Sequence, residues 1–373
     1  MKVRCDRNEL AQCLSDVLGI VPATQAQVLK PIFRDFHLRT EETFLFVEAT
    51  DLDVGARIRL DRVEVLAQGE VALPAVRFSS LVKEIPDNSV MLEALKDGRG
   101  AVVNASGYEF KLLGEDPGEF PEAPTFQNET ACSVSREKLI EALRRVAIAS
   151  CREASRFQLM GVYFEVEGDK LILTATDGKR LTNDQLRISN PQGIRATAIV
   201  PNRVIDVLLK VLADGEENVS MVVGDPNFQV SFGRGELTAK VIQGSFPDYR
   251  LALQQKISSR VTAKKSEFLA ATRSAALMTD KETATVGYKF EAGKAFLTTK
   301  VSDIGESRIE VPVTLEGGPI EVRYNPMYLI DALRSVTEEE VRLEFSDSDK
   351  PSTVRGGQHY RHLVMPVVIA KTT

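Results

Sequence analysis

No apolar run in this sequence is long enough to span a membrane, and Met1-Lys2-Val3-Arg4-Cys5 leads straight into polar residues without the apolar core of a secretion signal. Both absences point to a cytoplasmic protein with no membrane partner. Cysteine and histidine are scarce. Cys5, Cys13, Cys132 and Cys151 form no CxxC pair and have no zinc-site spacing to His37, His359 or His362, so buried free thiols are expected, with no metal and no cofactor. Also missing are a GxxxxGKS or GxxxxGKT loop, a GxGxxG opening a helix, a GxSxG elbow and an HExxH pair. Nucleotide-driven, hydrolase and zincin chemistries therefore have no visible apparatus, and a non-enzymatic role is expected.

The chain also lacks an excess of positive charge. Its 47 Lys and Arg stand against 53 Asp and Glu, a formal net charge of −6. Bulk attraction cannot coat such a protein in nucleic acid, so any DNA-handling role requires basic residues segregated onto one face. What is present is a globular composition, 43% hydrophobic and 27% charged, over 373 residues. That length is too great for one core and predicts two or three domains.

The sequence repeats itself three times. Phe44-Leu45-Phe46-Val47-Glu48-Ala49-Thr50-Asp51, Leu171-Ile172-Leu173-Thr174-Ala175-Thr176-Asp177 and Ala295-Phe296-Leu297-Thr298-Thr299-Lys300-Val301-Ser302-Asp303 are hairpin-like runs whose aspartates recur at intervals of 126 (177 − 51 and 303 − 177). A helix-like segment precedes each, opening near Asn8, Glu137 and Ser266. In the second copy Leu139, Ile140, Leu143, Val146 and Ala147 form one apolar helical stripe. A second helix follows in each copy, predicted over 74–85, 201–213 and 326–336, with Pro74, Pro201 and Pro326 near the starts, where a missing N–H costs nothing. Strand-like runs then begin at Val90, Val219 and Val341.

The expected fold class is α+β: three tandem similar domains, 1–128, 129–255 and 256–373, each with two helices packed on curved antiparallel sheets. The linkers fall near 127–129 and 254–258. A unit of this size holds its own core, so triplication calls for a geometrical reason. Units joined head to tail close into rings. Three aspartates placed alike in three separate domains do not converge on one substrate and are expected to cap turns rather than to catalyse.

The stretches Leu159-Met160-Gly161-Val162-Tyr163-Phe164-Glu165, Ala175-Thr176-Asp177-Gly178-Lys179-Arg180-Leu181, Gly244-Ser245-Phe246-Pro247-Asp248-Tyr249-Arg250 and Leu363-Val364-Met365-Pro366 resemble those of the bacterial DNA polymerase III beta subunit family, the sliding clamps. The resemblance covers essentially the whole chain. It implies a head-to-tail homodimer, two chains forming a six-domain ring around double-stranded DNA, bound without sequence readout as a processivity factor for polymerases. Implied partners are the DNA polymerase III catalytic subunit, the clamp loader, and repair polymerases and ligase that carry short linear motifs.

On that resemblance a peptide-binding cleft between the second and third domains comprises Leu159, Thr176, Gly178, Lys179, Arg180, Leu181, Pro247, Leu363, Val364, Met365, Pro366 and Val367. Read without it, the same residues are strand core and a hairpin turn. Expected DNA-facing residues are Arg77, Arg144, Arg145, Arg152, Arg156 and Arg203, with Lys264, Lys265 and Arg273 as further candidates. The implied dimer interface sets Phe110 and Leu112 against Leu277 and Met278. The chain departs from the family where Lys179 replaces a usual His, where residues 368–373 extend past the usual end, and where 25–31 lacks an Arg-rich loop. A scaffold that binds only proteins is the rival reading. Closure into a ring held on DNA separates the two.

Overall fold

The repeat predicts the same order of elements three times, and the computed structural model contains it with one strand fewer in the second repeat among the described residues. The structure describes residues 1–22, 30–122, 131–279, 284–302 and 305–367. Asp303, residues 25–29, the linker 127–129 and residues 368–373 lie outside the described residues.

The first repeat runs β1 (Lys2–Asp6), α1 (Arg7–Val17), β2 (Asp35–Glu41), β3 (Phe44–Thr50), β4 (Val54–Leu60), β5 (Val63–Ala67), β6 (Glu70–Pro74), α2 (Ala75–Glu84), β7 (Ser89–Ala94), β8 (Gly100–Ala105) and β9 (Tyr108–Leu113). The second runs β10 (Cys132–Ser135), α3 (Arg136–Val146), β11 (Gly161–Glu167), β12 (Lys170–Thr176), β13 (Arg180–Arg187), β14 (Ala196–Pro201), α4 (Asn202–Val211), β15 (Asn218–Val222), β16 (Asn227–Phe232) and β17 (Gly235–Lys240). A short helix, α5 (Arg250–Leu253), precedes the third. That repeat runs β18 (Ser259–Lys264), α6 (Lys265–Ala276), β19 (Val286–Glu291), β20 (Lys294–Val301), β21 (Gly305–Pro312), β22 (Thr314–Gly317), β23 (Ile320–Tyr324), α7 (Pro326–Ser335), β24 (Glu340–Phe345), β25 (Ser352–Gly356) and β26 (Tyr360–Val364).

The repeated prolines stand where the missing N–H is harmless. Pro74 and Pro201 immediately precede α2 and α4, whereas Pro326 opens α7 with the Asn325 side chain accepting from the Met327 N–H at 3.0 Å.

Packing groups the chain differently from the repeat, into two compact units: 1–140, 165–170 and 187–243 in one, and 141–164, 171–186 and 244–373 in the other. The physical reason is strand pairing across repeats. In the first unit β4 of repeat one pairs antiparallel with β17 of repeat two, and in the second unit β13 of repeat two pairs with β26 of repeat three. Each of these two sheets is therefore shared between consecutive repeats.

The first unit contains a five-stranded sheet, β5-β1-β7-β8-β9, and an eight-stranded sheet, β10-β15-β16-β17-β4-β3-β2-β6. Helix α1 packs on α2 and α4. The buried face of α4, Val204, Ile205, Val207, Leu208 and Val211, follows helical spacing. Each such side chain contributes at most about 1.5–3 kcal/mol of burial. The second unit has a four-stranded sheet, β21-β20-β19-β23, and the strand run β13-β26-β25-β24-β18-β22. Its core is aromatic: Phe268, Tyr288, Phe290, Tyr324 and Phe345 are buried together, with α6 packed on α7 above them.

All four cysteines are free and buried, and burial pushes the Cys5 and Cys13 thiols up to about 12, so they stay protonated and inert. Among the described residues no helix is long and apolar enough to cross a membrane.

Candidate peptide-docking site

Two of the three recurring aspartates are described, and both organise turns. Asp177 Oδ1 accepts from the Lys179 and Arg180 N–H groups at 2.9 and 3.0 Å, while Thr176 Oγ1 accepts from Gly178 N at 3.0 Å and donates to Arg180 O at 2.6 Å. Asp51 Oδ1 accepts from Asp53 and Val54 N–H at 3.0 and 2.8 Å in the matching turn. Residue 178 takes a backbone conformation that favours glycine, and a side chain there would displace the tip of Arg156. The Gly178 φ is +85°, and a Cβ there would meet Arg156 Nη1 at 2.3 Å. Arg156 Nη1 donates to Asp177 O at 2.9 Å, which lays the guanidinium across this turn.

Arg180 is held rather than free. Its Nε lies 3.0 Å from Asp177 Oδ2, its Nη1 lies 2.8 Å from Asp331 Oδ2, and its guanidinium stacks over the Tyr328 ring at 4.8 Å. The pairing fixes the turn to the face of α7 that carries Tyr328 and Asp331.

The floor of the site is a ladder. Leu181 faces Leu363 across β13 and β26, and Met365 N donates to Lys179 O at 2.9 Å, extending the pairing one step beyond the strands. Leu181, Leu363 and Tyr249 are buried in one cluster, with Tyr163, Phe246, Ala252 and Leu253 packed against it. Tyr163 and Phe246 stack with centroids 4.8 Å apart and planes 5° apart. Beside this floor Met365, one step past the ladder, and Leu251, in the short helix with Ala252 and Leu253, remain exposed, Leu251 to 72%. Exposed large apolar side chains gathered beside a buried aromatic floor suit a short peptide that buries one or two apolar anchors.

Most of the expected cleft residues gather here: Thr176, Gly178, Lys179, Arg180, Leu181, Leu363 and Met365 through the turn and ladder. Pro247 lies between Phe246 and Tyr249 and is exposed, Leu159 accepts at its carbonyl from Cys151 N at 2.9 Å, and Val367 N donates to Arg323 O at 2.7 Å. Pro366 links Met365 to Val367. Val364 is a correction. It is fully buried in the aromatic core of the second unit, because alternation along β26 sends Leu363 and Val364 to opposite faces. Missed by sequence reasoning were Tyr163, Phe246, Tyr249, Tyr328 and Asp331. Phe246 and Tyr249 flank Pro247 in one stretch and were within reach of it. Asp331 becomes visible only through its distance to Arg180.

The basic residues divide into free and engaged. Arg77, Arg144 and Arg152 are exposed. Arg145 is mostly covered: it pairs with Glu141, lies 3.8 Å from Asp184 and donates to Thr337 Oγ1 at 3.1 Å. Arg203 binds the Gly19 and Ile20 carbonyls and Asp51. With Arg156 on the Asp177 turn, Arg145, Arg156 and Arg203 serve internal contacts. Lys265 Nζ likewise donates to Val336 O at 2.9 Å, and Lys264 lies 3.1 Å from Glu267. Exposed helix cations that sequence reasoning passed over are Lys83, Lys138, Lys210 and Arg334, which join Arg273 in having no ion pair among the described residues.

Each unit also leaves strand edges open. β9 ends the five-stranded sheet and β21 ends the four-stranded sheet. Phe110 is half-buried, but Leu112 is 7% accessible and turned into its own unit, whereas Leu113 is 68% exposed. Leu277 is 82% exposed just past α6, and Met278 is half-buried beside it.

Comparison with known proteins supplies three family matches: the DNA polymerase III beta subunit N-terminal domain over residues 1–124, its central domain over 133–248 and its C-terminal domain over 251–368. The chain is 25% identical to the beta sliding clamp of Chlamydia muridarum over 98% of its length and 99% of the relative's. It is 27% identical to the beta sliding clamp of Pseudomonas putida over 98% of its length and all of the relative's. A crystal structure of a Pseudomonas aeruginosa DnaN sliding clamp bound to griselimycin superposes with a TM-score of 0.91 at 26% identity, covering 99% of this chain and 100% of that one.

Proposed function

The chain belongs to the DNA polymerase III beta subunit family of sliding clamps, and from that premise we propose that two copies close head to tail around duplex DNA and take client peptides at the Leu181–Leu363 site. Its domains are taken as 1–128, 129–255 and 256–373; the family matches over 1–124 and 133–248 fall within the first two, and the match over 251–368 begins five residues before the third. β9 of one copy adds to β21 of the other, and Leu277 supplies an apolar plug to the contact. Phe110 and Met278 flank this edge pairing. The protein acts in the cytoplasm as a processivity factor without chemistry of its own.

Within the ring, the exposed helix cations Arg77, Arg144 and Arg152, joined by Lys83, Lys138, Lys210, Arg273 and Arg334, attract phosphates weakly and without reading sequence. Weak contact is what sliding requires. The polymerase catalytic subunit, the clamp loader, and repair polymerases and ligase compete for the peptide site, each inserting an apolar anchor against Leu363 and Met365.

The observation that carries this reading is the Leu181–Leu363 ladder continued by Met365, a formed apolar floor with exposed walls. Sedimentation of the pure protein tests the assembly: a mass of twice the 41.1 kDa chain is expected, and a concentration-independent monomer would contradict it. Met365→Ala tests the site. Client-peptide affinity falls about tenfold with oligomeric state unchanged, and unaltered affinity removes Met365 from the site.

A further inference from the structure

The peptide-site architecture occurs twice in the chain. Lys240 N donates to Asp53 O at 2.7 Å in the first unit, as Met365 N donates to Lys179 O in the second. β4 pairs with β17 in the register of β13 with β26, so that Gly55 and Thr238 face each other where Leu181 and Leu363 do. His37 stacks on Phe120 with centroids 4.7 Å apart, as Tyr163 stacks on Phe246. Leu52 has a φ of +76° at the turn position held by Gly178.

The first copy differs in its filling. Gly55 and Thr238 replace two leucines, and a cavity of about 190 Å³ opens between Ala49, Leu52, Val54, Phe120, Pro121 and Thr238. An apolar cavity of about 150 Å³ accommodates a benzene ring, so this one holds a single aliphatic or aromatic side chain. Its polar lining is acidic. Glu48, Asp53, Glu122 and Glu236 stand against Arg57 and Lys240. Arg57 is spent on Glu41 and Glu48, and Lys240 on Asp53 at 2.9 Å. Glu122 and Glu236 are left without an ion pair among the described residues.

We propose that this cavity is a second docking site, for a linear peptide that inserts one apolar side chain beneath Phe120 and presents lysine or arginine to Glu122 and Glu236. The inference rests on the reading of the Leu181–Leu363 site as a peptide site. The two sites sort ligands by charge, because Glu122 and Glu236 line the first while Lys179 borders the second.

The test uses the full-length protein and two fluorescein-labelled probes, the peptide Lys-Leu-Phe-Lys-Leu and its counterpart Glu-Leu-Phe-Glu-Leu, titrated by fluorescence polarisation and calorimetry. Thr238→Leu fills the cavity with the side chain found in the other copy, Glu236→Lys reverses its charge without filling it, and thermal unfolding checks that both variants fold. The expected result is that each variant weakens the basic probe by about tenfold or more and leaves the acidic probe unchanged, while Met365→Ala does the reverse. Basic-probe binding unaffected by both first-unit variants overturns the second site. If Met365→Ala still weakens the acidic probe in that case, the peptide reading of the Leu181–Leu363 site stands alone. Loss of the basic probe in both first-unit variants without any effect of Met365→Ala upholds the cavity and removes the other site.

Discussion

Leu181 and Leu363 are directly opposed in the β13–β26 ladder, and the next residue, Val364, turns into the aromatic core of the second unit. One strand thereby sends one side chain to the Leu181–Tyr249 cluster and the next to the core of the second unit. Substituting the two gives different outcomes. Val364→Ala leaves a cavity beside the core and lowers unfolding free energy by about 2–4 kcal/mol, with peptide affinity falling only through lost folding. Met365→Ala leaves the melting temperature unchanged and weakens the peptide. Paired denaturation and peptide-titration curves check both outcomes.

Arg180 ties Asp177 to Asp331, with most of its side chain covered. Arg180→Ala leaves two carboxylates facing each other without a cation, so a loss of about 2–4 kcal/mol is expected. Arg180→Lys recovers less than half of it, since a single ammonium cannot match the fork that reaches both carboxylates. Chemical denaturation of the two variants measures the difference, and full rescue by lysine would exclude the forked geometry.

Leu277 is 82% exposed and makes no core contribution to the single chain. Leu277→Asp therefore shifts sedimentation from dimer toward monomer while the circular dichroism spectrum stays the same. A folded dimer of unchanged affinity would remove Leu277 from the interface.

The basic residues give a salt-dependence test. Arg144→Ala reduces the slope of log affinity for DNA against log salt by about 0.9 if its guanidinium neutralises one phosphate. Arg145→Ala leaves that slope unchanged and lowers stability instead, because Arg145 is committed to Glu141, Asp184 and Thr337. Binding isotherms at several salt concentrations, run beside thermal melts, separate the two residues.

His362 sets the pH behaviour of β26. It is fully buried, and desolvation together with the nearby Arg180 charge lowers its pKa from 6.5 to about 3. The folded value lies below the unfolded one, so the contribution to stability is present above about pH 6.5 and is lost as pH falls toward 3. At pH 4 the loss amounts to about 3 kcal/mol. His362→Asn removes this slope, whatever its effect on stability at pH 7. Denaturation midpoints between pH 7 and 4 provide the comparison.

The repeat was legible because its elements are local. Helical spacing, prolines at helix starts and the Thr-Asp turns each lie within a dozen residues, and the helices fall within a residue or two of their expected bounds. The grouping into two compact units was not legible, since it depends on β4 meeting β17 and β13 meeting β26 across long sequence distances. Site residues show the same division. Leu181, Gly178 and Met365 are singled out only through the resemblance of short stretches to the family, whereas the engagement of Arg145, Arg156 and Arg203 in internal contacts requires three-dimensional distances. A charge on a predicted helix carries no mark of whether a carbonyl already holds it.

The central claim is topological, and retention on DNA tests it most directly. The protein is loaded onto nicked circular plasmid by a clamp loader, the plasmid is cut once, and release is followed over time. Stable retention on the circle with rapid release after the cut is the predicted result. Equal release from circular and cut DNA would contradict a closed ring and favour a scaffold that binds only proteins.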